Sequence, residues 1–584
     1  MKRIADKLMK KTDQNPFGDF QGRGPTDKEI IDEFYATTTF WGLFNSQHEI
    51  LVGSRGCGKT FLLKSMRYSM LKKMTDIKAK SLISDKQYIA LYVPMHLEYL
   101  TAVRKQKDIE SKTIIFQILF NGLLISSLLD ELEVLLDEVE DNTERVIKEL
   151  ELARELDAAL FGGESTISDL RQLRRKNRRM LTSLDFQFFK ADDYPVVFRR
   201  EIPNSLVAAK TEIEDILNLK NLSWIVCVDE AEFLDEQMLR CINSVFRSDS
   251  EHIAFKVATL PYYHSTLETV SDSISVAEGH DFTYKIVDFK YDDIDYINIT
   301  NKIVEHRISS MLGNDIECKT LEDFVGRIDD DKGIDYYKLE FGEAEAKKES
   351  IYEEIIASFS EKKRIGAKSY KNTDKTITNK YAPVLYVRKM YEKSRQGNSK
   401  PGWYAGADMI RKISGGNPRL FLRIMGILFK KAVSVELTPK VQSEAIYNFS
   451  EYYCEGTKSI REYGPMMYKN LKSIGEQLKH KVHDGPILTN GNGFKFRKNS
   501  GVFDSDYSWL KEAIAYGYVI VDEDAIRVGM SESTKFVLSG PYSVYYWLPM
   551  RSDTITTVTL REEANNTYTV NYRQLSLWGD NDEY

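Results

Sequence analysis

Gly53-Ser-Arg-Gly-Cys-Gly-Lys-Thr60 matches the pattern G-x-x-x-x-G-K-[ST] at every fixed position. Its context is as specific as its spacing. An apolar run, Ile50-Leu-Val52, precedes it, and a helix-forming segment, Phe61-Leu-Leu-Lys64, follows. A strand, a glycine turn and a helix start in that order make an anion cradle. Glycine lets consecutive N–H groups turn inward, and the helix N-terminus adds partial positive charge. The candidate phosphate-binding residues are Gly53, Ser54, Arg55, Gly56, Cys57, Gly58, Lys59, Thr60 and Phe61. Lys59 is placed to reach terminal phosphates, and the Thr60 hydroxyl to hold Mg²⁺.

A second segment supplies what a cradle alone lacks. Trp224-Ile-Val-Cys-Val228 is an apolar run suited to a buried strand, and it ends in Asp229-Glu230. Beside a phosphate loop, Asp229 can order a metal ion through water, and Glu230 can act as general base toward a water nucleophile. Ile253-Ala-Phe-Lys-Val-Ala-Thr259 reads as the next strand, with Thr259 at its tip as a candidate contact to the terminal phosphate or the water. Arg240 and Arg247 lie between these strands and are the candidates for an arginine finger. Much later, Ser414-Gly-Gly-Asn-Pro-Arg419 reads as a tight turn into an apolar helix over 420–429. Asn417 would be the N-cap and Pro418 would sit in the first turn, which holds Arg419 at a rigid helix start.

Composition sets the frame. A length of 584 residues allows three or four domains, and 42% hydrophobic with 29% charged residues is an ordinary globular balance. A net charge of −7 argues against a global basic field for nucleic acid, although one basic face remains compatible with it. Cys57, Cys227, Cys241, Cys318 and Cys454 are scattered and odd in number. They suggest neither a disulfide framework nor a zinc site, and fit a reducing compartment. The first residues lack the apolar core of a signal peptide, and residues 114–129 are short for a membrane span and read as a buried helix. The expectation is a cytoplasmic protein without a membrane partner.

The rest of the chain divides by pattern. Residues 1–29 are polar and turn-rich, an N-terminal arm. Residues 30–290 read as a parallel-sheet core, with Tyr88–Val93 as a second strand and a helical insertion over about 101–220. Within the insertion, 123–160 suggests a helical hairpin, which most simply packs on its own domain. Arg171-Gln-Leu-Arg-Arg-Lys-Asn-Arg-Arg179 is the densest basic cluster. It reads either as a phosphate-backbone contact or, more simply, as a solvated face balanced by the acids of 130–151. Residues 291–440 read as a helical lid. Residues 441–584 begin with a helix over 466–481, a glycine-rich loop over 485–493 and a helix over 507–515. Strands at 518–521, 536–538, 554–560 and 567–572 and an acidic tail follow.

Taken in order, Gly53–Thr60, Asp229-Glu230, Thr259 and the Gly-Gly-Asn-Pro-Arg419 turn resemble the ORC-like branch of AAA+ ATPases and its STAND-type relatives. The resemblance implies an α/β P-loop core with a helical lid and a C-terminal winged-helix-like module. It implies ATP and Mg²⁺ as cofactors, with Walker A at Gly53–Thr60, Walker B at Asp229-Glu230, sensor 1 at Thr259 and sensor 2 at Arg419. Sensor 1 is more often asparagine, and no arginine stands out as a finger. The residues expected to carry catalysis are Lys59, Glu230, Thr259 and Arg419, with Thr60 and Asp229 on the metal.

Three functions stay open. One is an ATP-hydrolysing switch that controls a protein partner or effector; bacterial relatives of that type, by resemblance, include phage-defence switches. The second is a DNA-binding initiator or loader that works through the winged helix. The third is a nucleotide-holding scaffold without turnover. A homo-oligomer is compatible with the first two.

Overall fold

The structure is a computed structural model. It describes residues 15–18, 26–84, 88–163, 165–184, 189–219, 222–248, 252–271, 274–312, 318–328, 334–359, 374–397, 400–498, 502–503, 507–551 and 554–560. The expected strand at 567–572, the acidic tail and most of the N-terminal arm lie outside these residues. The chain forms two compact units. A sheet unit comprises Gly22–Asp288, and a helical unit comprises Met1–Gln21 with Phe289–Tyr584.

The sheet unit is built on five parallel strands: β1 (Glu49–Val52), β2 (Tyr88–Pro94), β3 (Ser223–Asp229), β4 (Ile253–Thr259) and β5 (Thr283–Ile286), in the spatial order β2-β3-β4-β1-β5. The interior strands β1 and β4 are buried at every residue, and β3 at all but its first. That is why they are continuous apolar runs rather than alternating ones, and why they stand out in the sequence. The edge strand β5 was not anticipated. Its four residues, Thr-Tyr-Lys-Ile, are all half-buried, so no apolar run marks it.

Four helices of this unit matter below: α1 (Lys59–Ser65), α2 (Ile109–Leu136), α3 (Asn142–Phe161) and α4 (Leu170–Thr182). The first helix of the expected insertion, α2, is a layer of the core itself. Its Phe120 stacks on Phe255 of β4, with ring centroids 6.3 Å apart. Ser127 Oγ accepts from the Tyr92 backbone N–H of edge strand β2 at 2.8 Å, and Glu131 accepts from Ser69. By length and composition α2 could cross a bilayer, but it is mostly buried within the unit. Its apolarity is that of a helix covering a sheet.

At the start of the sheet, β1 and β4 are pinned by an ion pair between Glu49 and the fully buried Lys256, 2.8 Å apart. Those two residues are also register partners. Burial lowers the Lys256 pKa, and Glu49 acts against that shift. A one-residue slip would strand the ammonium in the core, so the pair selects a single register.

The helical unit contains α5 (Ile294–Leu312), α6 (Ala407–Ser414), α7 (Pro418–Ser434), α8 (Pro439–Gly456) and α9 (Gly464–His483). Buried Arg411 joins α5 and α6. Its guanidinium donates to Thr300 Oγ1 at 3.1 Å, to Asn301 Oδ1 at 3.0 Å and to both oxygens of Glu322 at 2.7 and 3.2 Å. Residues 15–18 belong here too. Phe17 packs on Phe429, and the Asn15 amide donates to the Gly426 carbonyl at 3.0 Å. Toward the C-terminus a four-stranded sheet has the order β7-β8-β6-β9, from β6 (Gly493–Phe496), β7 (Val519–Val521), β8 (Phe536–Leu538) and β9 (Ile555–Val558). Its core is aromatic: Phe494 and Phe496 pack on Phe536, and Phe496 packs on Trp509 of the helix over 508–515 that follows β6. β6 was not anticipated; the glycine-rich loop expected over 485–493 reaches only its first residue. Its residues follow a glycine-rich stretch that hides a four-residue strand.

Candidate functional site

Because β1, β3 and β4 are parallel, their C-terminal ends open on the same edge, where ligands bind in open α/β sheets. The order β3-β4-β1 puts β4 between the phosphate-loop strand and the acidic strand. Val52 is in register with Thr259, and the Gly53 N–H donates to the Thr259 carbonyl at 3.3 Å. Gly53–Thr60, Thr259 and Asp229-Glu230 therefore gather at one edge from three strands.

The loop takes the shape its residues demand. Gly58 has φ 107°, a left-handed conformation that carries a strain penalty for residues with a Cβ, and it forms the N-cap of α1 without any side-chain cap. The first amides of α1 are thus left for a ligand. Cys57 turns into the core beneath the loop, among Leu51, Leu63 and Cys227. Burial pushes its thiol up to about 11, so it is a small packing residue and not a nucleophile. Lys59 is buried, and its ammonium folds back on the loop, donating to the carbonyls of Gly53 at 2.6 Å and Ser54 at 3.1 Å. Ser54 is itself held. Its N–H donates to both oxygens of Asp288 at 3.0 Å, and its hydroxyl to one at 2.6 Å.

Asp229 is buried and its carboxylate is fixed from two sides. The Tyr92 hydroxyl donates to Oδ2 at 2.8 Å, and the Glu230 N–H donates to Oδ1 at 2.9 Å. Glu230 follows in the left-handed region, φ 60°, which turns its side chain away from the strand direction. Its carboxylate lies 3.4 Å from His96 Nδ1, just past β2. Burial and the neighbouring Asp229 charge raise its pKa, and His96 opposes the shift. Glu232, on the same turn, also has its pKa raised by burial, with Lys59 opposing. At the tip of β4 the Thr259 hydroxyl is buried and has no hydrogen-bond partner among the described residues. A buried orphan hydroxyl costs about 1–3 kcal/mol, and it is explained if a ligand completes it.

These groups fit a nucleotide with its magnesium. The loop offers amides, an ammonium and the Thr60 hydroxyl, and β3 offers one fixed carboxylate. No group of three or more metal-ligating side chains occurs among the described residues. The finger candidates are both engaged: Arg240 with Glu236 at 3.0 Å and with Glu268, and Arg247 with Asp281 at 3.2 Å. Arg419 is exposed in the first turn of α7, in the helical unit. Sequence reasoning missed Tyr92, His96, Glu232 and Asp288. Tyr92 and His96 carried a faint signal, as polar groups at the end of a buried strand parallel to the acidic one. Asp288 carried none, since its contact with Ser54 spans 234 residues.

No curated protein matches the chain. A family model described as ORC-CDC6-like matches residues 15–557, nearly the whole length, and with the five-stranded parallel sheet and its loop it establishes that this chain belongs to the ORC-CDC6-like family, of the AAA+ ATPase type.

Proposed function

We propose that the chain is an ATP-binding and ATP-hydrolysing switch that controls a partner protein or a nucleoprotein assembly. The observation that carries the reading is the meeting at one sheet edge of an uncapped glycine loop, a carboxylate locked by Tyr92, and a buried hydroxyl that lacks a partner among the described residues. The amides from Ser54 to Phe61 would hold the phosphates, and Lys59 would exchange the Gly53 and Ser54 carbonyls for phosphate oxygens. Thr60 and Asp229 would hold Mg²⁺, which supplies neutralising charge on the phosphates when bound. Glu230 would take the proton of the attacking water, and Thr259 would position that water or the terminal phosphate. Arg419 is assigned the role of sensing the nucleotide from the lid, a role suggested by its place in the Gly-Gly-Asn-Pro-Arg turn. The helix over 508–515, which lies between β6 and β7 in the chain, together with the four-stranded β6–β9 sheet supports a winged-helix-like module.

The test is ATP turnover by the full chain, with Mg²⁺ and with the metal chelated, for the natural protein and Glu230→Gln. Metal-dependent turnover that falls in the variant while ATP binding persists is the expected result. Turnover unchanged by Glu230→Gln would remove it as the base. Binding without any turnover in the natural protein would leave the scaffold reading.

A further inference from the structure

The phosphate loop carries one charged side chain beyond Lys59, that of Arg55. The Ser54 carbonyl accepts from the Cys57 N–H at 3.3 Å, which closes a four-residue turn with Arg55 and Gly56 at its corner. Gly56 has φ 94°, the conformation that the third position of a type II turn demands. Both ends of the turn are pinned. Ser54 is held by Asp288 through its N–H at 3.0 Å and its hydroxyl at 2.6 Å, and Cys57 is buried in the core beneath. Arg55 therefore stands half-buried at the rim of the loop on a fixed backbone. Its charge reaches the turn after β3. Burial raises the pKa of Glu230 and of Glu232, and on both the Arg55 charge acts in the opposite direction. Other cations of this edge are directed elsewhere: the Lys64 ammonium lies over the Tyr92 ring at 5.4 Å, Arg67 pairs with Asp27, and Arg104 donates to the Phe233 carbonyl.

We propose that the Arg55 side chain contacts the terminal phosphate of bound ATP and supplies, from within the loop itself, the positive charge that an arginine finger would bring. The inference rests on the ATP-binding reading of the site and adds a side-chain role to a residue whose backbone N–H alone was assigned there. A base that activates water must lie beside the terminal phosphate, so a guanidinium whose charge reaches Glu230 is on that phosphate's side of the loop. Without nucleotide the acids of the β3 turn balance the Arg55 charge. Phosphate oxygens would take over that part, as they would take over Lys59 from the Gly53 and Ser54 carbonyls. ATP with one magnesium ion remains anionic, and Lys59 brings a single positive charge. Arg240 and Arg247 are tied to Glu236, Glu268 and Asp281, so the charge developing on the transferred group calls for a cation already at the site. A guanidinium suits the task because its fork matches two phosphate oxygens at once.

The experiment compares the full natural chain with Arg55→Gln and Arg55→Lys. Affinities for ADP and for the slowly hydrolysed ATPγS are measured by calorimetry with Mg²⁺, and phosphate release is measured at saturating ATP. Arg55→Gln should lose about tenfold or more in ATPγS affinity, the worth of a charged hydrogen bond, and keep its ADP affinity. Its turnover should fall by about 10³-fold, the lower end for an arginine at the transferred phosphoryl group. Arg55→Lys keeps the charge without the fork and should recover part of the ATPγS affinity. An equal loss for ADP and ATPγS, or a thermal midpoint lowered in both variants without nucleotide, would make Arg55 a support of the loop and overturn the proposal. So would a glutamine variant whose affinities and turnover are unchanged. A natural chain that binds ATPγS but turns over no ATP would remove the hydrolytic reading alone, and the ratio of the two affinities would still decide the contact. A natural chain that binds neither nucleotide would remove both.

Discussion

Two glycine turns in this chain run straight into a helix, and they end up with opposite chemistry. In the sheet unit, Gly58 leads into α1 with no side chain over the helix start, and the loop's one ammonium closes on backbone carbonyls. In the helical unit, Gly415-Gly416-Asn417 leads into α7, and Asn417 Oδ1 accepts from the Leu420 N–H at 3.1 Å while Pro418 removes another orphan donor. A Cβ on Gly416 would lie 1.9 Å from the Phe289 carbonyl oxygen, so this turn is packed closely against the backbone of Phe289 and Lys290. The Tyr296 hydroxyl bonds Ser414 at 2.7 Å and fastens the turn further. One helix start is left unsatisfied and can take an anion; the other satisfies itself and acts as a rigid joint. The difference lies in whether a capping side chain is supplied.

That contrast can be broken experimentally. The largest effect is expected for Glu230→Gln. Removing a general base should lower ATP turnover by about 10²–10⁴-fold in a steady-state phosphate-release assay, with nucleotide affinity retained. Lys59→Ala should weaken ATP binding by about 10–100-fold, the worth of a charge-assisted hydrogen bond, in a titration with a fluorescent nucleotide. An unchanged affinity would mean that the open helix start is not the phosphate site. Tyr92→Phe removes the hydroxyl that orients Asp229 and should raise the Mg²⁺ concentration for half-maximal turnover by about tenfold, at the low end for such supporting contacts. If the loss fell on ATP affinity instead, Tyr92 would act on packing and not on the carboxylate. The smallest effect is expected at the closed turn. Asn417→Ala should cost about 1 kcal/mol of stability, read as a lower thermal midpoint without nucleotide. A nucleotide defect as large as that of Lys59→Ala, at undiminished stability, would erase the distinction between the two turns.

Legibility from the sequence followed burial. β1, β3 and β4 were readable because interior parallel strands must be apolar along their whole length, and α7 was readable because Asn417-Pro418 announces its start. β5 and β6 escaped notice, one half-buried at an edge and the other directly after a glycine-rich stretch. At the site, the glycines, Lys59, Thr60, Asp229, Glu230 and Thr259 were visible as a motif and as strand tips. Tyr92, His96, Glu232 and Asp288 were not singled out, because what matters about each is a neighbour far along the chain or hidden by the fold.

The basic cluster shows the same limit at finer grain. Sequence alone weighed all of 171–179 against the acids of 130–151 as blocks of charge. Only the packing of α4 on α2 and α3 decided that Arg174 and Lys176 are paired, while Arg171, Arg175, Arg178 and Arg179 have no ion pair among the described residues. The sequence by itself determined the order of the chemical parts, since a glycine loop and a strand ending in two acids are local patterns fixed by backbone geometry. The tertiary structure decided which parts meet: strand order set Thr259 between the loop and Asp229, and burial left its hydroxyl without a partner among the described residues. Local rules act within a few residues, whereas hydrogen-bond satisfaction and charge pairing depend on whichever distant groups the packed core brings within about 3–4 Å.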